Sequence, residues 1–119
     1  MKITITIPRA SANSRRKMNG EEREQLLIEL VKRLALGTIT EGELLKKLRI
    51  EVLGYNQEKY AKLTGISRRV LTSIESGEEG LSMATLNKAF KPFGLKMGLV
   101  PTNLHILKQA IQDLDESTS

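Results

Sequence analysis

The sequence has no cysteine among its 119 residues and only one histidine. Without cysteine the fold cannot depend on disulfides, and neither a thiol nucleophile nor a zinc finger can be built. The histidine, His105, has no Ser-His-Asp companion nearby in sequence, so we expect a structural or solvent-facing side chain. These absences argue against an enzyme, and we expect neither a metal nor another cofactor.

Long apolar runs are missing as well. No stretch approaches the ~18 apolar residues that a membrane helix needs, and the N-terminus lacks the charged and apolar regions of a signal peptide in the right order. We therefore expect a soluble, cytoplasmic protein. Aromatic residues are scarce, with two Phe and two Tyr, but 39% of the residues are apolar. One small core is the expectation.

Basic residues outnumber acidic ones, with 19 Lys and Arg against 14 Asp and Glu and a formal net charge of +5. Residues 1–37 carry eight basic against four acidic residues, 38–100 carry ten against seven, and 101–119 carry one against three. The basic excess therefore lies in the first two segments. Such a balance favours an anionic partner such as nucleic acid.

The stretch between residues 56 and 77 predicts two short helices joined by a tight turn. Asn56 is a good N-cap for the first helix, Gly65 supplies a left-handed turn residue, and Ser67 caps a second helix that ends at Gly77. Apolar residues on both helices converge, so one face of each is buried. The outer face of the second helix carries Arg68, Arg69 and Ser73.

The order and spacing of these residues resemble the helix-turn-helix of Cro and lambda-repressor-like regulators, the XRE family. The resemblance spans residues 40–100 and includes a further helix at the expected distance. The residues that carry it are Gln57, Ala61, Gly65, Ile66, Ser67, Arg68, Ile74, Glu75, Gly77, Leu81, Ser82, Leu86, Phe93 and Gly94.

This resemblance implies double-stranded DNA as the partner, read as a palindromic operator by a homodimer. The second helix would lie in the major groove, with Arg68 and Arg69 reading guanine edges, although Arg69 is nearly as good a phosphate clamp. The expected DNA-binding residues are Asn56, Gln57, Lys62, Ser67, Arg68, Arg69, Ser73 and Ser76.

One position departs from the family pattern. The family usually has an arginine seven residues before Gln57 that pairs with the glutamate at position 75, but this chain has Ile50 there and Arg49 beside it. Two outcomes are open: Glu75 reaches Arg49 through a small shift of register, or it bonds to a backbone amide.

Ahead of the family domain, Ile3, Ile5 and Ile7 alternate with threonines and predict a strand that must pair with another edge or stay disordered. Residues 9–17 form a basic linker, either plainly solvated or following DNA phosphates. A capping box at Asn19 then predicts an amphipathic helix that ends at Gly37. Its apolar stripe either covers the core or forms a dimer seam.

Inside the domain, capping residues at Thr40 and Ser82 predict the first and last helices. The turn and short strand that follow, ended by Pro101, resemble the HipB-like antitoxins, in which such strands pair between subunits. The expected dimer interface is Lys96, Met97, Leu99 and Val100. Beyond it, apolar residues from Leu104 to Leu114 predict a helix that packs on its own domain or docks on a protein partner.

The sequence therefore predicts a mostly α fold: a lambda-repressor-like helix-turn-helix domain with an N-terminal helix and strand and a short strand after the last domain helix. We divide the chain into 1–18, 19–37, 38–100 and 101–119. The expected function is that of a DNA-binding repressor, the autoregulating antitoxin of a toxin–antitoxin pair. The alternatives are an adaptor that holds a toxin or kinase partner, and a stand-alone phage-type repressor.

Overall fold

The computed structural model describes the backbone of residues 18–118 and the side chains up to residue 113. Helices account for the regular structure of this range. They are α1 (Gly20–Ala35), α2 (Glu41–Lys47) with a π turn (Leu48–Leu53), α3 (Gln57–Thr64), α4 (Arg68–Glu75), α5 (Met83–Phe90) with a 3₁₀ turn (Lys91–Phe93), and α6 (Leu104–Thr118).

Both predicted capping boxes are present. The Glu22 N–H donates to Asn19 Oδ1 at 2.8 Å, and the Asn19 N–H donates back to the Glu22 carboxylate at 3.2 Å. Thr40 and Glu43 repeat this exchange at 3.1 and 3.2 Å. Because each box satisfies amides that lack a partner inside the helix, it fixes where α1 and α2 begin.

One hydrophobic core joins the first five helices. In α1, Leu26 and Leu30 are buried against it, so the apolar stripe of this helix covers the core of the domain. Fully or nearly buried apolar residues make up the centre of the core. They are Met18, Leu26, Leu30, Leu44, Leu45, Leu48, Tyr60, Leu71, Ile74, Ala89 and Phe90.

The end of the first domain helix widens into a π turn. From Leu48 to Leu53 the chain follows a π-helix, which closes i→i+5 hydrogen bonds and so accommodates one residue more than an α-helical turn. Gly54 ends it with a left-handed backbone, φ 66°. This wider turn sets the direction in which Arg49 points, and Arg49 is buried.

Helix α2 approaches the end of α4 very closely at Gly42. A Cβ atom at this position would overlap the backbone oxygen of Ile74 and lie 2.9 Å from that of Glu75. Glycine is therefore required here by space, since the neighbouring atoms belong to backbone that cannot rotate away. The close approach fixes the position of α4 relative to α2.

The predicted strand at Lys96–Val100 is absent: residues 95–100 have no regular secondary structure, and the described residues contain no strand. A strand exists only when it is paired with another, and a prediction from one sequence pattern cannot supply that edge. Met97 instead donates its N–H to Asn87 Oδ1 on α5 at 2.8 Å. The predicted strand of Ile3, Ile5 and Ile7 lies outside the described residues, as does the basic linker.

Tyr60 anchors α3 to α5 from inside the core. Its ring is fully buried and stacks on Phe93 with the ring centres 6.0 Å apart, and its hydroxyl donates to the Ala89 carbonyl. Burial, reinforced by the negative charge of Glu75, raises the pKa of the Tyr60 hydroxyl well above its ordinary value. The hydroxyl therefore stays protonated in the folded protein.

Replacing Tyr60 by Phe should lower the free energy of unfolding by about 1–3 kcal/mol near pH 8, because the buried Ala89 carbonyl loses its donor. Above pH ~10 the unfolded tyrosine loses its proton while the folded one keeps it, so the wild type loses stability as pH rises. The Phe variant has no hydroxyl at position 60 and does not show this loss of stability. Urea unfolding at pH 8 and 10.5 should show that the difference in free energy of unfolding between the two proteins becomes smaller at the higher pH. An unchanged difference would contradict the raised pKa of Tyr60.

Candidate nucleic-acid interface

The two predicted short helices, α3 and α4, are present with their predicted caps. The Lys59 N–H donates to Asn56 Oδ1 at 2.8 Å, and the Val70 N–H donates to Ser67 Oγ at 3.0 Å. Gly65 joins the helices with φ 76°, a conformation that glycine adopts without strain. Capping uses the side-chain acceptors only, so the Asn56 amide and the Ser67 hydroxyl keep hydrogens that can be donated outward.

The outer face of α4 is polar and basic. Leu71 and Ile74 are buried under the helix, while Arg68 and Arg69 are exposed on the opposite side. Thr72 is also exposed; one turn after Arg68, it lies at the middle of this face, whereas the predicted contact Ser73 is half-buried at its edge. The sequence interpretation did not name Thr72, although its i+4 spacing from Arg68 could have indicated it.

A buried ion pair holds α4 from below. Arg49 Nε and Nη2 donate to the two carboxylate oxygens of Glu75 at 2.7 and 2.8 Å, and Arg49 Nη1 donates to the Tyr55 carbonyl at 2.7 Å. The two side chains are only 7% and 5% exposed. Of the two outcomes left open by the sequence, the pairing with Arg49 is the one that occurs. In the family pattern the arginine is seven residues before Gln57, whereas Arg49 is eight residues before it. The π turn accommodates this one extra residue and so brings Arg49 to the position from which it reaches Glu75.

Gln57 connects this pair to the exposed face. Its Nε2 donates to Glu75 Oε1 at 3.2 Å. The Thr72 hydroxyl lies 3.3 Å from Gln57 Oε1 and 3.0 Å from the Arg68 carbonyl oxygen, and it can donate its hydrogen to either. Gln57 is thus fixed at the start of α3, and one hydrogen of its amide is left for an outside acceptor.

The remaining predicted site residues lie at the margins. Lys62 is exposed in the last turn of α3, and Ser76 is exposed just after α4, where its hydroxyl donates to the Ser73 carbonyl at 3.1 Å. About 12 Å of helix separates Arg68 from Ser76 at 1.5 Å per residue. The acidic loop of Glu78 and Glu79 follows, also exposed.

The surface formed by α3 and α4 carries hydrogen-bond donors and positive charge. Buried contacts beneath α4 hold it in position. Residues 45–100 match the helix-turn-helix family model. The class of protein is therefore a DNA-binding transcription regulator. The match supports an XRE-like regulator of the Cro and lambda-repressor type, and this family is a regulatory and not an enzyme family.

No match to the chain was found among curated proteins or among solved structures. Within residues 18–118, no helix is long and apolar enough to cross a membrane. In the same range, no three His, Cys, Asp or Glu residues come together as a metal-binding group.

Proposed function

We propose that the protein is a sequence-specific transcriptional repressor that acts in the cytoplasm as a homodimer on a palindromic operator. The observation that carries this proposal is the exposed face of α4, where Arg68 and Arg69 flank Thr72 above the buried pair of Arg49 and Glu75. A palindrome follows from two-fold symmetry, since each copy reads one half-site and the half-sites lie about one helical turn of DNA apart.

In the proposed complex, α4 lies in the major groove. Arg68 donates two hydrogen bonds to O6 and N7 of a guanine, and Thr72 contacts the neighbouring base or its methyl group. Arg69 lies further round the helix and binds a base or a phosphate. Gln57 donates to the backbone phosphate next to the groove and fixes the register of the domain.

Phosphate contacts from the caps complete the interface. Asn56 and Ser67 place their remaining hydrogens at the N-terminal ends of α3 and α4, where the helix dipoles also attract anions. Lys62 and Ser76 reach phosphates at the two sides. These contacts supply affinity that depends on salt and not on sequence.

Replacing Arg68 by Ala should weaken binding to the protein's own operator by ~1–3 kcal/mol and change binding to random DNA much less, because a bidentate guanine contact is lost. Gel-shift titrations of both DNAs at one salt concentration measure this. Arg23 is exposed on α1, so Arg23→Ala removes the same charge as a control. Equal losses on both DNAs would make Arg68 a phosphate contact and would remove it from base readout.

We further propose that the regulator is the autoregulating antitoxin of a toxin–antitoxin pair. The support is the resemblance of residues 95–101 to the HipB-like ending. Footprinting on the protein's own promoter tests autoregulation, and a kinase-like toxin gene beside its own supports the pairing. An isolated gene in a phage region would favour a stand-alone repressor instead.

An adaptor function is the second candidate, and the exposed apolar side chains at the end of the domain favour it. Leu99 is fully exposed and Val100 is 71% exposed, which is costly for a surface that contacts nothing. In an adaptor, binding to the operator would be secondary to binding of the protein partner. In the dimer proposed above, by contrast, Lys96, Met97, Leu99 and Val100 belong to the interface between copies.

A further inference from the structure

The Thr72 side chain carries two chemically different groups, a hydroxyl and a methyl. The hydroxyl oxygen lies 3.3 Å from Gln57 Oε1 and 3.0 Å from the Arg68 carbonyl oxygen. Because a hydroxyl has a single hydrogen, that hydrogen is donated within the protein to one of these two acceptors. Thr72 is nevertheless exposed. It therefore offers an outside partner its methyl group and the lone pairs of an oxygen that already faces two protein acceptors.

The direction of the hydroxyl favours the methyl group as the outward contact. Gln57 is half-buried on α3, and the Arg68 carbonyl belongs to the preceding turn of α4, so the oxygen points back to the protein. The methyl group shares the tetrahedral Cβ and points in another direction. Threonine in a helix prefers the rotamers in which Oγ1 reaches the carbonyl one turn earlier, so this arrangement is a stable one. Thr72 thus places an apolar group between the donors of Arg68 and Arg69.

Thymine is the base that presents an apolar group in the major groove. Its C5-methyl lies there, whereas the edges of the other three bases present hydrogen-bond donors and acceptors. Thr72 follows Arg68 by one turn, which is about 6 Å along the helix, and successive base pairs are about 3.4 Å apart along the DNA axis. Thr72 therefore reaches a base that is one or two pairs away from the base that Arg68 reads.

We propose that the methyl group of Thr72 reads the 5-methyl group of a thymine close to the guanine bound by Arg68, while the Thr72 hydroxyl holds Gln57 at its phosphate. The inference rests on the proposed function and names a second base of the operator half-site. Each half-site then contains a guanine and a thymine one or two base pairs apart. A single residue connects the readout of the base with the contact to the DNA backbone.

Removing the methyl group from the DNA tests the contact directly. Footprinting on the protein's own promoter defines the operator, and each of its thymines is replaced in turn by deoxyuridine, which lacks the 5-methyl group and keeps the same hydrogen-bonding edge. At one thymine of each half-site the replacement should weaken binding of the wild type by about 4-fold, the value expected for burial of one methyl-sized group.

Two variants separate the methyl group from the hydroxyl. Thr72→Ser keeps the hydroxyl and removes the methyl group, so it should bind the thymine and deoxyuridine operators equally. Thr72→Val keeps the methyl group and removes the hydroxyl, so it should retain the preference for thymine. Because Gln57 loses a donor, Thr72→Val should also bind operator and random DNA less tightly, by about 2- to 10-fold in both cases. Both variants change an exposed position, where substitutions alter stability little.

Thr38 supplies a matched control. It is exposed in the loop after α1, and its hydroxyl likewise donates to a backbone carbonyl, that of Arg33, at 3.1 Å. Thr38→Ser and Thr38→Val make the same chemical changes outside α3 and α4, so they should leave both the affinity for the operator and the preference for thymine unchanged. Gel-shift titrations of the wild type and the four variants with both operators at one salt concentration give the comparison.

The outcomes separate this inference from the proposed function. A wild type that binds every deoxyuridine operator as tightly as the thymine operator would overturn the inference and leave the DNA-binding regulator standing. A preference for thymine that survives in Thr72→Ser would assign the methyl contact to another residue, and one that is lost in Thr72→Val alone would assign it to the hydroxyl; both results would overturn the inference. A wild type that binds its own promoter no more tightly than random DNA would contradict the proposed function itself.

Discussion

Replacing Arg49 by Met should lower the free energy of unfolding by about 3–5 kcal/mol, because Glu75 would be left as a buried charge without its partner. Both carboxylate oxygens of Glu75 accept from Arg49, and both side chains are almost completely buried. A small domain is stable by only about 5–15 kcal/mol in total. The variant should therefore be marginally folded, which urea unfolding followed by circular dichroism would measure.

The chain offers a partly exposed ion pair as a control, in which the Glu29 side chain is 26% exposed. Lys32 and Glu29 are 3.5 Å apart on α1, with Lys32 58% exposed, and Lys32→Met should change stability by no more than about 1 kcal/mol. The double variant Arg49→Met, Glu75→Met removes both charges and should recover most of the lost stability. A loss below 1 kcal/mol in the single variant would show that water reaches Glu75 in solution.

The double variant also separates stability from DNA binding. Gln57 donates to Glu75 and lies within reach of the Thr72 hydroxyl, so removing the carboxylate releases the side chain that is proposed to fix the register on DNA. Operator affinity should remain reduced when stability is restored. The buried pair then serves to position the interface as well as to hold the fold.

Local signals were sufficient to predict the helices and the turn. Asn19, Thr40, Asn56, Ser67 and Ser82 all cap helices where the sequence placed them. Capping depends on a side chain and an amide two or three residues later, so it is encoded within a few positions. The helix-turn-helix match over residues 45–100 supports the family resemblance that the residues from Gln57 to Gly94 indicated.

The π turn could not be derived from local signals. Its sequence from Leu48 to Leu53 contains no residue that specifies a wide turn, and the position of Glu75 on another helix decides that Arg49 must point inward. The displaced arginine indicated a conflict of register, but only the tertiary arrangement shows how the backbone resolves it. The spacing of Thr72 from Arg68 indicates its exposed position, but its contact with Gln57, 15 residues earlier, depends on how α3 and α4 pack together.

The prediction of a strand at residues 96–100 was wrong for a different reason. Its pattern is that of a strand, but pairing needs a second edge and the described part of the chain provides none. The apolar face of α6 could be predicted from the sequence. That Leu104 and Ile111 on this face stay exposed could not. Burial is a property of the packed molecule, and the spacing of apolar residues alone does not reveal which face meets which neighbour.

Replacing Gly42 by Ala should lower the free energy of unfolding by about 1–3 kcal/mol or more, because the added methyl group overlaps the backbone at the end of α4. The oxygens of Ile74 and Glu75 belong to backbone, so the overlap is relieved only by moving α2 and α4 apart. That movement also shifts Glu75 relative to Arg49 and turns the outer face of α4. Operator binding should therefore weaken beyond what the unfolded fraction explains.

Gly20→Ala is the matched control. A Cβ at Gly20 meets nothing within 4 Å, and alanine is the better helix former, so stability should stay the same or rise by up to about 1 kcal/mol. Thermal unfolding and gel-shift titration of the two variants under one set of conditions give the comparison. If Gly42→Ala matched Gly20→Ala in both measurements, α2 and α4 would not be in close contact in solution, and the position of α4 would have to depend on the Arg49–Glu75 pair alone.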